Sequence, residues 1–357
     1  MPLDLLVVFI AISVLILIHE VGHFFAARFF HIWVEEFGLG LPPRIWGKKI
    51  GETVYSINLL PMGGFVKLHG EEQPAHSAEI TKPKRAFFKR PWWQRSIILT
   101  AGVLMNFIFA TAVISYIFTK GVPVPGGVEI KEVVANSPAE LAGILPNDQL
   151  IKIDNQEVLA VTKVTQLIKE RLDKETMLEF LRVIDNTEEK VVVKAVPRKN
   201  PPAGEGALGV VLQQKLTIKS YPFYQAPYYG LKTAINMSWV LIQAISGVFW
   251  DFISGFRVPK DVAGPIGMYQ LYGEARKDGL TAILELTGLI SLNLVVVNLF
   301  PIPPLDGARL LLVLAERISG KRLRKEWEEK MYQISFIFLI TLFILISIQD
   351  VRRLLGI

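Results

Sequence analysis

The 357-residue chain carries 39 Lys and Arg against 33 Asp and Glu, a formal net charge of +6. Apolar residues make up 51% and mean hydropathy is +0.38, while charged residues still supply 20%, so the composition predicts a polytopic membrane protein with a folded domain outside the bilayer. The absence of cysteine excludes disulfides, thiol nucleophiles and Cys-type zinc sites; no basic and aromatic stripe argues for nucleic acid as a partner.

The first apolar segment runs from Leu3 to about Phe30 and is assigned to residues 1–30. No Lys or Arg precedes it, Asp4 sits there instead, and no small-x-small site closes it, so it reads as a retained span and not a cleaved signal. Inside it lies "HEVGH", His19 to His23. Ionisable groups at bilayer depth cost roughly 2.5–3.5 kcal/mol each on insertion scales, and a metal ion is the first candidate to offset that. On a helix His19 and His23 are i and i+4, so both imidazoles leave one face and can take two corners of a tetrahedral zinc. Glu20 is then placed to take a proton from metal-bound water.

Residues 31–96 form a basic loop with Arg44, Lys48, Lys49, Lys67, Lys82, Lys84, Arg85, Lys89, Arg90 and Arg95. Its "YSINLLPMGGFVKLHG" has strand-like runs around a Pro-Met-Gly-Gly break, as if strands dip into the membrane beside the His/Glu cluster; covering protein would have to satisfy their backbone. Residues 97–119 read as a second span, with Asn106 taken as a packing residue. Residues 120–221 change texture to short strands and turns, with Ser137 and Pro138 starting a short capped helix: a soluble α+β domain. In residues 222–280, Lys232, Asn236, Gln243 and Asp251 interrupt an apolar run, which reads as an amphipathic helix on the membrane surface.

Residues 281–315 are a third span ending in "NLFPIPPLDGARLL", residues 316–332 a second basic loop with Arg317, Lys321, Arg322, Arg324, Lys325 and Lys330, and residues 333–350 a fourth span. Both basic loops belong in the cytoplasm, giving an N-out, C-out topology with four transmembrane helices. A third metal ligand could come from Glu35, Glu36, His69, His76 or Asp306, with His31 too close to serve. Asp306 is the strongest candidate: the first and third spans run in the same direction, and prolines 301, 303 and 304 let the chain turn inward after the third. As an alternative Asp306 could cap the helix beginning near Ala308. Asn298, inside the third span, needs a partner; it could donate to a substrate carbonyl or bond a neighbouring helix.

"HEVGH" in the first span, "LDG" after the third and "PMGGFVKLHGE" between them resemble the site-2 proteases, the M50-type zinc intramembrane metalloproteases. "DVAGPIGMYQ" and a PDZ-like insertion resemble the bacterial regulator-of-sigma-E branch, here with a single PDZ domain where two in tandem are familiar. The resemblance implies Zn2+ on His19, His23 and Asp306, Glu20 as general base, and Asn298 in contact with substrate. It implies a membrane-associated β-element around Gly63, Gly64 and Phe65 that guides substrate. It further implies an inner-membrane enzyme of regulated intramembrane proteolysis, with its site toward the cytoplasm and the PDZ domain outside. Its partners would be single-pass membrane protein substrates, such as anti-sigma factors or signal-peptide remnants, the lipid bilayer, and a PDZ ligand. The competing reading is a non-enzymatic PDZ membrane scaffold with a structural metal; a transporter would call for broken-helix repeats, which the sequence lacks.

Overall fold

The computed structural model describes residues 2–71, 83–184, 187–255, 262–321 and 325–355. His76, Lys82, Arg322 and Arg324 lie outside the described residues. The chain divides into two compact units, one of residues 1–119 and 222–357 and one spanning Lys120–Tyr221.

The larger unit begins with α1 (Pro2–Phe29), an apolar helix free of internal proline. It ends where His31 adopts a left-handed conformation, with φ 57°, and the Ile32 N–H closes back onto the Ala27 carbonyl. Two strands follow, β1 (Val34–Ile50) and β2 (Thr53–Leu68). They pair twice: Gly38 faces Ser56 on one side and Phe65 on the other, so residues 36–39 lie between 54–57 and 64–67. Among the described residues, 64–68 is therefore an outer edge. After Pro91 comes α2 (Trp92–Lys120).

Four helices follow the smaller unit's sequence: α5 (Ala226–Gly255), α6 (Pro265–Asp278), α7 (Leu280–Leu299) and α8 (Asp306–Ser319), and α9 (Lys325–Leu355) completes the unit. The prolines after Leu299 stop α7, since Phe300 before Pro301 is forced into an extended conformation. The third span is thus two helices with a bend, not one continuous segment to residue 315. α1 and α7 run the same way: Asp4 at the start of α1 bonds Arg276 of α6 at 2.5 Å, and the last turns of α1 face Asp306 beyond the end of α7. α2 runs opposite, with Ile98 and Leu99 packed on Phe24 and Ala27.

Among the described residues five helices, not four, are long and apolar enough to cross a membrane: α1, α2, α5, α7 and α9. The addition is α5, expected to lie on the membrane surface. Its Ala234 packs with Ala110, Ile114 and Leu292, and Phe249 stacks on Phe338 and tilts against Phe300. α5 thus runs alongside α7 toward the metal-proximal end. Yet Gly264, soon afterwards, donates to Asp350 at the far end of α9. Phe338 and Asp350 are twelve residues apart on one helix, about 18 Å at 1.5 Å per residue.

The smaller unit is one antiparallel six-stranded sheet. Its strands are β3 (Val122–Val133), β4 (Gln149–Ile153), β5 (Gln156–Glu157), β6 (Thr176–Ile184), β7 (Thr187–Ala195) and β8 (Val210–Lys219), in the order β7-β6-β4-β3-β8 with β5 beside β4. Two helices, α3 (Pro138–Leu141) and α4 (Val161–Lys169), accompany it; Ser137 caps α3 by accepting from the Glu140 N–H at 3.2 Å. Val128, Ile130, Leu178 and Phe180 build the core with Val164 and Leu167. Asp148, 1% exposed, takes two 2.7 Å hydrogen bonds from the Arg182 guanidinium, which satisfies a buried charge.

Candidate metal centre

His19 and His23 lie one turn apart on α1 and are buried, 9% and 8% exposed. His23 Nδ1 is 2.8 Å from the Ile98 carbonyl of α2, an atom that can only accept. In the neutral ring Nδ1 therefore carries the proton, and Nε2 presents a lone pair. That lone pair faces His19 Nε2 at 3.1 Å and Asp306 Oδ2 at 3.2 Å; His19 Nε2 is itself 3.0 Å from Asp306 Oδ2. Three donor atoms from two distant pieces of chain converge on one point, and Asp306 Oδ2 is buried without a hydrogen-bond partner.

The donor set fits a divalent cation. Metal–ligand bonds of about 2.0–2.1 Å at tetrahedral angles separate the ligand atoms by roughly 3.3–3.4 Å, close to the spacings here. Two imidazole nitrogens and one carboxylate oxygen leave a fourth position for water, the composition of a catalytic site and not of a closed structural one. Asp306 does not cap α8: Leu305 holds that place, and Asp306 stands in the first turn. Gly307 lets this turn approach the end of α7, for a Cβ there would overlap the Leu299 carbonyl.

Among the described residues, Glu35, Glu36 and His69 are engaged elsewhere. Glu35 pairs with His69 Nδ1 at 2.7 Å and with Lys67 at 3.3 Å. Glu36 accepts from Arg44 and from Ser56. His31 is at the end of α1, its carbonyl taken by Arg90.

A cavity of about 430 Å³ opens onto the cluster. Glu20 and Ile16 line it from α1, Phe65, Val66 and Leu68 from β2, Asn106 from α2, and Asn298 and Leu294 from α7. Gly63 and Gly64 form the bend beside α1: a Cβ on Gly63 would lie 3.8 Å from Ile16, one on Gly64 3.4 Å from the Glu20 side chain. At the rim, Glu71 forms an ion pair with Arg309 of α8, which also bonds the Tyr332 hydroxyl of α9.

Two residues of this site were not legible as such in the sequence. A Cβ on Gly102 of α2 would overlap His23 Nε2 and press on His19, so any larger residue there would push the imidazoles out of place. Asn106, one turn further along α2, is fully buried, yet both side-chain polar atoms lack a partner. The packing role expected for it agrees with its burial at the crossing with α7 and leaves its amide unaccounted for; the nearest signal was an amide four residues after a glycine in an apolar helix.

The family model described as Peptidase family M50 matches residues 7–342. A protein of Fusobacterium nucleatum named as a candidate zinc metalloprotease is 30% identical over 98% of this chain and 99% of its own length. Similarly named proteins of Clostridium perfringens and Clostridium acetobutylicum are each 30% identical, over 96% and 98% of this chain and 96% and 97% of their own. The match spans both the helix that supplies the two imidazoles and the turn that supplies the carboxylate, and the chain belongs to peptidase family M50.

Proposed function

We propose that this chain is a zinc endopeptidase of the site-2 type, which hydrolyses peptide bonds within or beside the transmembrane segment of single-pass membrane proteins. The observation that carries the reading is the meeting of His19, His23 and Asp306 with Glu20 and Asn298 on one cavity among apolar helices. Zinc is the cofactor: the donor set suits it, and the bacterial relatives are named as zinc metalloproteases. When bound, it supplies a Lewis acid for the scissile carbonyl and brings the pKa of its water to about 7.

Glu20 takes the proton from the attacking water and delivers it to the leaving amide nitrogen, so the C–N bond breaks and the hydroxyl stays on carbon. Asn298 donates its amide N–H toward the carbonyl oxygen as charge develops there. A substrate helix hides its carbonyls in hydrogen bonds, so it must unwind locally. The free edge of β2 at residues 64–68, with Gly63, Gly64 and Phe65 at its start, holds the unwound stretch by main-chain pairing.

The positive loops put the metal-proximal ends of α1 and α7 on the cytoplasmic side and residues 120–221 outside, with four net crossings. The six-stranded unit serves as a single PDZ-like domain, which takes a trimmed tail or limits access. That arrangement fits the regulator-of-sigma-E branch, with anti-sigma factors or signal-peptide remnants as substrates in a bacterial cytoplasmic membrane. The test is Glu20→Gln in liposomes with a single-pass reporter. Zinc content is expected to stay at the parent level while cleavage falls about 10²–10⁴-fold. A parent chain that cleaves no reporter, with Glu20→Gln silent, would leave the scaffold reading standing; undiminished cleavage by Glu20→Gln would remove Glu20 as the base.

A further inference from the structure

Asn106 holds one of the most apolar positions in the molecule, yet it is an amide with two donors and one acceptor. It is 0% exposed, its Nδ2 and Oδ1 are both unpartnered, and it lines the metal-site cavity. Its neighbours fix where it sits. The Ser291 hydroxyl of α7 donates to the Asn106 main-chain carbonyl at 2.8 Å, which pins this turn of α2 at the crossing with α7. Gly102, four residues earlier, lies directly against the two imidazoles. Asn106 is therefore one helical turn, about 6 Å along the axis, from the level of the metal ligands. An extended peptide rises about 3.3 Å per residue, so 6 Å is a span of two residues.

We propose that Asn106 binds the substrate main chain two residues from the scissile bond, its amide donating to one peptide carbonyl and accepting from one peptide N–H. This rests on the protease reading above. A peptide drawn out of its helix exposes unpaired N–H and C=O groups in a cavity poor in water, each costly to leave unmet. The β2 edge satisfies one side of the extended stretch. The Asn106 amide, sealed from water in the substrate-free chain, satisfies a further pair once the entering peptide displaces the side chains that cover it. Burying this amide unpartnered is the standing cost in the substrate-free chain, and the bound peptide removes it.

The test uses the full chain in liposomes with a fluorescent single-pass reporter. Asn106→Leu nearly preserves volume and deletes the amide; Asn106→Ala repeats the deletion with room to spare. Zinc content is expected to be unchanged and the thermal midpoint unchanged or raised. kcat/KM is expected to fall about ten- to a hundredfold. In a Glu20→Gln background, which is expected to bind without cutting, the reporter Kd should rise by a similar factor. Variants that bind and cut like the parent overturn the inference. So does a loss that zinc content and thermal midpoint follow in step, since packing alone would explain it. A parent that neither binds nor cuts any span sinks the protease reading and this inference together; a parent that cuts, with indifferent variants, sinks this one alone.

Discussion

A single hydrogen atom in place of a methyl group decides whether the two imidazoles of α1 can face Asp306. Gly102 allows α2 to lie against them, and Gly22 allows the same approach from the other side, where a Cβ would overlap the Ala101 carbonyl. Alanine is the better helix former by about 1 kcal/mol, so Gly102→Ala should favour α2 in isolation and still damage the site. The expected outcome is a folded, membrane-inserted chain with zinc bound well below one per molecule, read by metal analysis beside circular dichroism. His19, Glu20, His23 and Asp306 stood out in the sequence because ionisable groups in an apolar run need a reason. Gly102 and Asn106 did not, because periodicity shows which face of a helix is apolar, not which helix lies against it.

At the scale of elements, the edge of β2 is the feature with the most specific consequence. Successive N–H groups in a strand point to opposite sides, so of Phe65 and Val66 one donates into the ladder with β1 and the other toward the free edge. Proline removes the donor. Of Phe65→Pro and Val66→Pro, one is expected to disturb the fold. The other should keep zinc content and thermal midpoint while cleavage of an intact span drops at least about tenfold, as gel-based turnover would show. Equal effects of both on zinc and on cleavage would argue against a strand that receives substrate. The folding of β1 back along both halves of β2 was not legible beyond strand-like runs, since register depends on the bends at the proline and glycine positions. α5 was read as surface-bound because Lys232, Asn236, Gln243 and Asp251 dilute its hydropathy; its lengthwise packing comes from Ala234 and Phe249, which sequence alone assigns no partner.

For the whole molecule the testable matter is which side each part occupies. The chain has no cysteine, so single cysteines can be introduced without background. Leu141 is 83% exposed in the smaller unit and Ile318 is 88% exposed near the end of α8. With a membrane-impermeant maleimide on intact cells, Leu141→Cys should label and Ile318→Cys should not. Phe223→Cys before α5 and Lys277→Cys after it should label alike; opposite behaviour would make α5 a true crossing and reverse every later segment. The two-unit division and the helix-rich class were foreshadowed by the change of texture near residue 120 and the return of apolar runs after 222.

The wide separation of His23 from Asp306 along the chain has a consequence for biosynthesis. While a ribosome is still making this protein, the first helix enters the lipid with both imidazoles and no carboxylate to complete their set. The ligand set stays incomplete until translation passes residue 306, after α1, α2, α5 and α7 have been made. A product that stops before residue 306 carries the two imidazoles without their third donor.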